Sequence, residues 1–303
     1  MSAYNLLVIL GTTASGKTKL AVELAKHLNG EVISADSRQV YRGLDIGSGK
    51  DLDEYGDVPY HLIDIVDPGY EFNIFDYQQH FVTAFEDVIR RDKLPILVGG
   101  SALYADAILK GYRLIEVPEN PVLRAELALK SHEQLKERLF NLKPKLHNTT
   151  DLVDINRLIR AIEIAEGEQD TNANLPPFPT LKPLILGIEW QRESVRERIT
   201  SRLKQRLEQG LIEEVEALHQ QGVSWDTLYF YGLEYRFIAQ YLKGDLSRND
   251  MFQKLNSAIH QFAKKQETWL RRLQRNGFDI HWLDGTKNPL REAFIKIGKV
   301  ENS

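Results

Sequence analysis

A glycine-rich segment at residues 11–18 constrains the fold of this chain more than any other stretch. It reads GTTASGKT, follows an apolar run at 6–10 and precedes a helical pattern at 20–25. Strand, loop and helix in that order are the setting in which the spacing G-x-x-x-x-G-K-T forms a P-loop. The loop N–H groups and the start of the helix then make a concave anion site. We therefore predict that this segment binds a diphosphate or a triphosphate.

Each residue type in this loop has a predicted task. Gly11 and Gly16 are expected to allow backbone angles that a side chain would obstruct. Lys17 supplies positive charge for the phosphates, and the Thr18 hydroxyl suits Mg²⁺. The predicted phosphate-binding residues are Gly11, Thr12, Thr13, Ala14, Ser15, Gly16, Lys17 and Thr18. A chance glycine turn is the alternative, and the loop alone does not identify the ligand.

Composition narrows the class of protein. The 303 residues include no cysteine, which excludes disulfides, a cysteine-based zinc site and a thiol nucleophile, and which fits a reducing cytoplasm. The first predicted strand starts almost at residue 1, so we expect no signal peptide, and no apolar run is long enough to span a bilayer. The formal net charge of −4 does not suggest a nucleic-acid partner, although a local basic patch could bind one.

Apolar runs rich in β-branched residues alternate with helical patterns along the chain. The predicted buried strands lie at 6–10, 31–35, 61–66, 95–98, 184–188 and 278–283. This alternation predicts an α/β fold with a P-loop NTPase-like parallel sheet that is covered by helices on both faces. In such sheets the ligand lies at the carboxyl ends of the strands, where the polar motifs of this chain fall.

The same pattern predicts a core that is interrupted by helical segments. The P-loop catalytic core is expected at 1–190, with a helical lid-like segment at about 111–150 and a polar, proline-rich connection at 169–179. Residues 191–276 fall between two predicted strands and are interpreted as a helical insertion domain, after which 277–303 return to the core and form a tail. The insertion contains three helical stretches, at about 194–220, 226–242 and 248–275.

Polar side chains follow the second and fourth predicted strands. Asp36 leaves the second strand at the ligand edge, where a carboxylate is a candidate general base or metal ligand. Gln39 carries an amide that matches the N6/N7 edge of adenine. After the fourth strand, Gly99 and Gly100 are expected to let a ligand approach the backbone, and Ser101 offers a hydroxyl. Helix N-capping remains the alternative for Asp36 and Ser101.

Two helical segments place arginines on one face. Arg157 and Arg160 are one helical turn apart. Arg198, Arg202 and Arg206 recur every four residues in the first part of the predicted insertion. Either set could bind phosphates, and a solvated helix face is the alternative for both.

The stretch at 264–275 is the most basic in the chain. Its lysines and arginines surround Trp269, and Gln266 is available for base contacts. Basic residues interleaved with an aromatic ring fit an RNA-facing helix. Trp269 fits a core position equally well.

Taken together, these segments resemble the tRNA dimethylallyltransferases, also called tRNA isopentenyltransferases. The matching blocks occur in family order along nearly the whole chain, at 11–18, 33–50, 61–68, 95–104, 155–163 and 263–272. The blocks DSRQVYRGLDIG and GGSALY carry the resemblance, because a P-loop occurs in many other families.

The resemblance implies a reaction. The family transfers the dimethylallyl group of dimethylallyl diphosphate to N6 of adenosine 37, just 3′ of the anticodon, in tRNAs that read codons beginning with U. The products are N6-(dimethylallyl)adenosine and diphosphate, and Mg²⁺ is required. The P-loop then holds the diphosphate of the donor. We accordingly expect a cytoplasmic monomer whose partners are the tRNA anticodon loop and dimethylallyl diphosphate, with no membrane contact.

The resemblance also assigns roles by position. Asp36 matches the family's general base, Ser101 stands at its phosphate- and substrate-contacting threonine, and Lys17 joins them as a catalytic residue. We also predict that Arg202 binds dimethylallyl diphosphate together with the P-loop residues. The residues expected to contact tRNA are Asp36, Ser37, Arg38, Gln39, Ser101, Arg124, Asn156, Arg157, Arg160, Lys264 and Gln266.

Four positions depart from the family pattern. Thr12 stands where proline is usual, Ser101 replaces threonine but keeps the hydroxyl, and Asn156 replaces a polar or basic residue. Glu234 stands where glycine is expected, beside the aligned pair Tyr235–Arg236. This last departure bears on the shape of the tRNA-entry loop and on the range of acceptors.

Three other functions fit a P-loop with a nearby carboxylate. One is an adenylate isopentenyltransferase that acts on AMP. Another is a small-molecule kinase that uses Lys17 on ATP and Asp36 as a base toward a hydroxyl. The third is a non-catalytic RNA module that binds nucleotides. The long helical segments and the basic stretch at 264–275 favour a macromolecular acceptor.

Overall fold

The computed structural model of this protein describes residues 4–112, 114–144, 152, 154–170 and 178–301. The chain divides into two compact units, Met1–Tyr112 with Pro179–Ser303, and Arg113–Phe178. Most of the proline-rich connection predicted at 169–179 lies outside the described residues. Among the described residues, no helix combines the length and the apolar character that a membrane span needs.

A six-stranded parallel sheet forms the centre of the first unit. Its strands are β1 Leu6–Gly11, β2 Gly30–Ser34, β3 Tyr60–His61, β4 Leu94–Gly99, β5 Pro183–Glu189 and β6 Ile280–Asp284. The order across the sheet is β3-β2-β4-β1-β5-β6, so β1 lies between β4 and β5. The predicted α/β fold is confirmed. The third strand is shorter than the predicted 61–66, because Leu62 and Asp64 adopt left-handed φ angles of 63° and 56° that interrupt it.

Twelve α-helices lie in the described part of the chain. In chain order they are α1 Lys17–Leu28, α2 Ile74–Arg90, α3 Ala102–Leu109, α4 Pro121–Ala128, α5 His132–Leu142, α6 Ile155–Asp170, α7 Arg192–Glu208, α8 Leu211–Gln220, α9 Trp225–Phe230, α10 Leu233–Leu242, α11 Arg248–Arg275 and α12 Pro289–Glu301. The predicted stretches at 194–220 and 226–242 are each two helices. Gly210 and Gly232 separate them, with φ angles of 101° and 115° that no α-helix can continue through.

The core of the first unit lies on the sheet. All six residues of β1 are buried, as expected of a central strand that is covered on both faces. Leu7, Ile9, Ile96 and Leu186 belong to one apolar cluster with the buried face of α1 and with residues of α12. Each such side chain stabilises the fold by about 1.5–3 kcal/mol relative to leaving it exposed to water.

The helices from α7 to α11 belong to the same compact unit as the sheet. α11 packs against β1, α3, α7 and α10, so the predicted insertion at 191–276 is not set apart from the core by its contacts. The second compact unit is instead Arg113–Phe178, where the sequence analysis predicts only a lid-like segment and a connection. Its α4, α5 and α6 bury Leu127, Leu135, Leu158 and Ile162 in a small core of their own.

Candidate functional site

The predicted motifs lie at the carboxyl ends of three neighbouring strands. The P-loop follows β1, Asp36 follows β2 and Ser101 follows β4. A cavity of about 440 Å³ opens at this edge, and its lining includes Lys17, Thr18, Asp36 and Ser101. The structure therefore brings the predicted catalytic residues together in one place, as expected for a parallel sheet.

The P-loop has the shape of an anion site. Gly16 precedes α1 with a φ of 90°, which glycine adopts freely. Gly11 has no positive φ. A side chain is excluded at this position for lack of space, because a Cβ there would lie 2.7 Å from Ser15 Oγ. Lys17 Nζ donates to the carbonyl oxygen of Thr12 at 2.7 Å. The buried Ser15 hydroxyl finds no partner among the described residues, which makes it a candidate donor to a phosphate.

The residues present fit a magnesium ion that is held mainly by the ligand. In the described part of the chain, no group of three or more acidic or histidine side chains could bind a metal by itself. The Thr18 hydroxyl, however, lines the cavity beside the anion site. Mg²⁺ keeps several waters and is commonly bound by few protein oxygens together with phosphates.

The arginine face of α7 lies against the P-loop. Arg198 Nε donates to the carbonyl oxygen of Ala14 at 2.8 Å, and its guanidinium lies 4.1 Å from the centre of the Trp190 indole. Arg202 and Arg206 line the cavity. The prediction that these arginines share a face is confirmed, and the solvated-face alternative is wrong for Arg202 and Arg206.

The cations of the cavity disfavour one another's charge. Burial and, next, the charge of Arg202 lower the pKa of Lys17 to about 8, although Asp36 opposes both effects. Burial, followed by the charge of Arg202, also lowers the pKa of Arg206. A multivalent anion would relieve this cost, because an opposite charge favours the ionised form of each group.

Neither the Asp36 side chain nor the Ser101 side chain caps a helix. Asp36 Oδ1 accepts from the backbone N–H of Arg38 at 2.9 Å, in a turn that no helix follows. Ser101 precedes α3, but its hydroxyl makes no cap bond and accepts instead from the backbone N–H of Ser37 at 3.1 Å. The capping alternative is therefore wrong for both side chains. Ser101 instead holds the segment that begins at Asp36.

The Gln39 amide, predicted to pair with adenine, is buried and already bonded. It accepts from the Ser34 hydroxyl at 2.7 Å and donates to the carbonyl oxygen of Gly49 at 3.0 Å. The neighbouring Arg38 guanidinium lies 5.0 Å from the centre of the Phe230 ring. Gln39 lines the cavity all the same, so base pairing stays a prediction that requires these bonds to be exchanged.

Helix α11 divides the basic stretch between two cavities. Gln266 accepts from the backbone N–H of Thr13 at 2.8 Å and donates to the carbonyl oxygen of Gly100 at 3.0 Å. A Cβ at Gly100 would lie 2.4 Å from this amide, so the glycine makes room for Gln266 rather than for a ligand. Lys265 lines the first cavity, whereas Lys264 lines a second cavity of about 850 Å³. Lys264 and Gln266 therefore do not form one RNA-facing surface.

The predicted tRNA-contacting residues of the second unit fall into two groups. Arg124 and Arg160 both pair with the buried Glu163 carboxylate, at 3.0 Å and 2.5 Å. Burial opposes ionisation of Glu163, but its bonds outweigh that effect and hold its pKa below the usual range. Asn156 and Arg157 are exposed. The tRNA contacts of these residues stay predictions, and for Arg124 and Arg160 they require the ion pairs to be exchanged.

The cavity also has an apolar wall, which was not predicted from the sequence. This wall is built by side chains from separate elements, namely Val98, Leu103, Tyr104, Tyr231, Leu233, Ile259 and Phe262. Leu103 and Tyr104 belong to the GGSALY block, but nothing in that block indicates that they line an apolar surface. Glu234 also lines the cavity. Burial raises its pKa, whereas Arg206 lowers it and Asp36 adds to the rise. The departure of Glu234 from the family pattern was the one signal available for it.

The chain is similar to known proteins over nearly its whole length. The family model described as IPP transferase matches residues 39–273, and the model described as isopentenyl transferase matches residues 4–56. The tRNA dimethylallyltransferase 1 of Geotalea daltonii is 65% identical over 96% of this chain and 94% of its own length.

Solved structures agree with the sequence relatives. The tRNA isopentenylpyrophosphate transferase of Bacillus halodurans superposes with a TM-score of 0.71 at 32% identity, over 99% of this chain and 98% of that chain. A eukaryotic dimethylallyltransferase, captured in crystallographic snapshots of its action on tRNA, has a TM-score of 0.75 at 25% identity, over 92% and 73% of the two chains. The chain therefore belongs to the IPP transferase family of tRNA dimethylallyltransferases.

Proposed function

We propose that this protein transfers the dimethylallyl group of dimethylallyl diphosphate to N6 of adenosine 37 in tRNAs that read codons beginning with U. One observation carries the proposal. A single cavity joins an anion site with Lys17 and Arg202, the carboxylate of Asp36, and an apolar wall. The donor diphosphate fits the anion site, the acceptor amine fits beside Asp36, and the dimethylallyl group fits against the apolar wall.

The donor end of the site would bind and balance charge. The P-loop N–H groups, Lys17 and Arg202 hold the diphosphate, and they stabilise the negative charge that grows on it as the allylic C–O bond breaks. Mg²⁺ held by Thr18 and the diphosphate would supply further positive charge to the same leaving group. Fixed donors of this kind contribute most when water is excluded, which the apolar wall favours.

The acceptor end would position an amine that is a poor nucleophile. Asp36 accepts a hydrogen bond from N6 and takes its proton, while the N6 lone pair forms the new bond to the allylic carbon and diphosphate departs with the C–O electron pair. The bond from Arg38 N–H orients the Asp36 carboxylate, and Ser101 fixes the following residue. A general base contributes about 10²–10⁴ in rate.

A tRNA acceptor is supported by what the relatives are named for and by the chemistry of the nucleoside. An adenosine in a single-stranded loop leaves its stack at small cost and can enter a pocket of this size. The basic residues of α11 offer local charge for phosphates in a chain whose net charge is −4. We place the reaction in the cytoplasm, with Mg²⁺ as the metal and the monomer as the active form.

The test is label transfer from dimethylallyl diphosphate. The protein is incubated with labelled donor and either tRNA or AMP, and, in parallel, with labelled ATP and no donor. We expect label in tRNA at adenosine 37 only. Label in AMP or phosphoryl transfer from ATP would instead support the two enzymatic alternatives.

A matched variant separates the roles within the site. Asp36→Asn should keep donor binding and lose about 10²–10⁴ in rate, because an amide cannot take the proton. Equal losses in donor affinity and rate would make Asp36 a metal ligand.

A further inference from the structure

Two arginines at the anion site share one carboxylate. Arg202 is in bonding contact with Asp51 Oδ2, and a guanidinium nitrogen of Arg206 lies 3.9 Å from the same oxygen. Arg206 is only 9% exposed. Among the described residues, no other carboxylate lies within ion-pair distance of either guanidinium. The two guanidinium groups thus share one directly paired carboxylate, while Glu234, which lines the cavity, interacts with Arg206 at longer range.

The two guanidinium groups crowd together above Gly49. A Cβ at that position would overlap Arg206 Nη2 and lie 3.0 Å from Arg202 Nη2. Close like charges that are partly removed from water carry an energetic cost unless an anion neutralises them. Positive charge is in excess in the cavity, whose lining includes Lys17, Arg38, Arg202, Arg206 and Lys265 against the carboxylates of Asp36 and Glu234.

Asp51 reaches the arginines from an unusual backbone conformation. Its φ and ψ are 48° and 47°, in the left-handed region that costs a residue with a Cβ some stability. It is also the N-cap of a 3-10 turn at Leu52–Glu54, where aspartate commonly caps, yet its side chain makes no cap bond. This conformation costs some backbone stability and leaves the turn without a side-chain cap. It brings the Asp51 carboxylate to Arg202 and Arg206.

We propose that Asp51 is an internal counter-anion that stands in for the donor's diphosphate on Arg202 and Arg206 and is displaced when the diphosphate binds. This inference rests on the proposed function for the identity of the ligand. Once freed, Arg206 becomes a further diphosphate ligand beside Arg202. After transfer, the returning Asp51 carboxylate competes with the product diphosphate and promotes its release.

The counter-anion also sets a threshold for ligand charge. Phosphate, with one or two negative charges, gains little by replacing a carboxylate that already pairs with both arginines. A diphosphate carries several negative charges and reaches Lys17 as well, so it gains from the exchange. Asp51 would thus favour diphosphates over phosphate at a site where both could dock.

The experiment measures the binding of inorganic diphosphate and of inorganic phosphate to the full chain by calorimetry, with and without Mg²⁺. Asp51→Asn and Asp51→Gly both remove the charge, and both residues tolerate a left-handed conformation. Asp53→Asn, on the same turn and exposed, is the matched control. We expect both Asp51 variants to bind diphosphate about tenfold tighter and to lose selectivity over phosphate. Tenfold is the low end of the effect of a single charge at ion-pair distance. The control should match the wild type.

The possible results support or overturn the inference as follows. A gain in affinity cannot come from a damaged fold, so it supports the counter-anion directly, as would stronger product inhibition by diphosphate. Unchanged affinity in both Asp51 variants would overturn the inference and leave the proposed function in place. Weaker binding together with a lost dependence on Mg²⁺ would make Asp51 a metal ligand and also overturn it. A wild type that binds no diphosphate would contradict the proposed function itself.

Discussion

Each compact unit contains a pair of arginines that share one carboxylate, and the two pairs differ in how fully that carboxylate is used. In the second unit, Arg124 and Arg160 pair with Glu163, which is 2% exposed and also accepts from the backbone N–H of Asn120. Every oxygen of Glu163 is bonded, and the cluster joins α4 to α6. This pair has the character of a structural ion cluster.

In the first unit the burial of the arginine and of the carboxylate is reversed. There the arginine is buried, since Arg206 is 9% exposed, and its carboxylate, on Asp51, lies at the surface on a strained turn. Positive charge is left over, and it faces a cavity with Lys17. The difference teaches that the spacing of arginines along a helix does not separate ligand sites from internal ties, whereas the burial and saturation of the shared carboxylate does.

The largest expected effect comes from removing the cation at the centre of the anion site. Lys17→Ala should lower dimethylallyl transfer by about a thousandfold or more, because the departing diphosphate loses its closest positive charge. Labelled donor and tRNA provide the assay, and an unchanged thermal melting curve provides the control for folding. Turnover at the wild-type rate would contradict the assignment of the P-loop to the donor.

The counterpart in the second unit should alter stability and leave binding alone. Glu163→Gln removes the charge that holds Arg124 and Arg160, and we expect a loss of about 2–3 kcal/mol in the stability of that unit, since the arginines are partly exposed. Because the pKa of Glu163 is lowered, the wild type should lose the same contribution as pH falls through that pKa. Hydrogen exchange within 113–178 measures it, and weaker diphosphate binding with unchanged exchange would contradict it.

A third prediction uses the lowered pKa of Lys17. Below pH 8 the ammonium is charged and binds diphosphate directly, whereas above pH 8 binding must first take up a proton. Diphosphate affinity should therefore fall by up to about tenfold for each pH unit above 8. Calorimetry across this range tests it, with Lys17→Arg as the comparison, because an arginine stays charged. Parallel pH profiles for the two proteins would exclude Lys17 as the titrating group.

The smallest expected effect concerns the basic stretch of α11. Changing Lys264, Lys265 and Arg271 to glutamine should weaken tRNA binding a few-fold and reduce the slope of log affinity against log salt by about two. The expected change is modest because Arg271 already pairs with Glu267. An exposed arginine on α2, changed as Arg90→Gln, serves as the control. Parallel slopes for wild type and triple variant would remove this stretch from the RNA-contacting surface.

The parts of the fold that local sequence determines were predictable. The helix at Arg248–Arg275 was predicted to its ends, because its buried residues keep one helical face from Met251 to Leu273. The grouping of Asp36 and Ser101 with the P-loop followed from the rule that parallel strands end at one edge. Local signals of this kind depend on residues that are close in the chain.

Contacts between distant residues were not predictable from one sequence. Gln266 and Thr13 are 253 positions apart, and no pattern in either segment indicates that an amide of α11 bonds to the P-loop. Trp269, left open between RNA and core, donates to Asp106 on α3 at 3.1 Å and is half-buried. The division into units was missed for the same reason, since the contact of α11 with β1 joins segments that are far apart in the sequence.

The Gln266 clamp has a consequence for how this site can be tuned. Its amide holds Thr13 of the P-loop and Gly100 at the end of β4, and an amide does not ionise at any pH at which the protein is folded. Lys17, in the same loop, changes its charge near pH 8. The two Gln266 bonds that help to shape the loop therefore do not depend on pH, whereas the loop charge does. The pH at which the loop changes its charge can thus be altered, by evolution or by design, while these two bonds are kept.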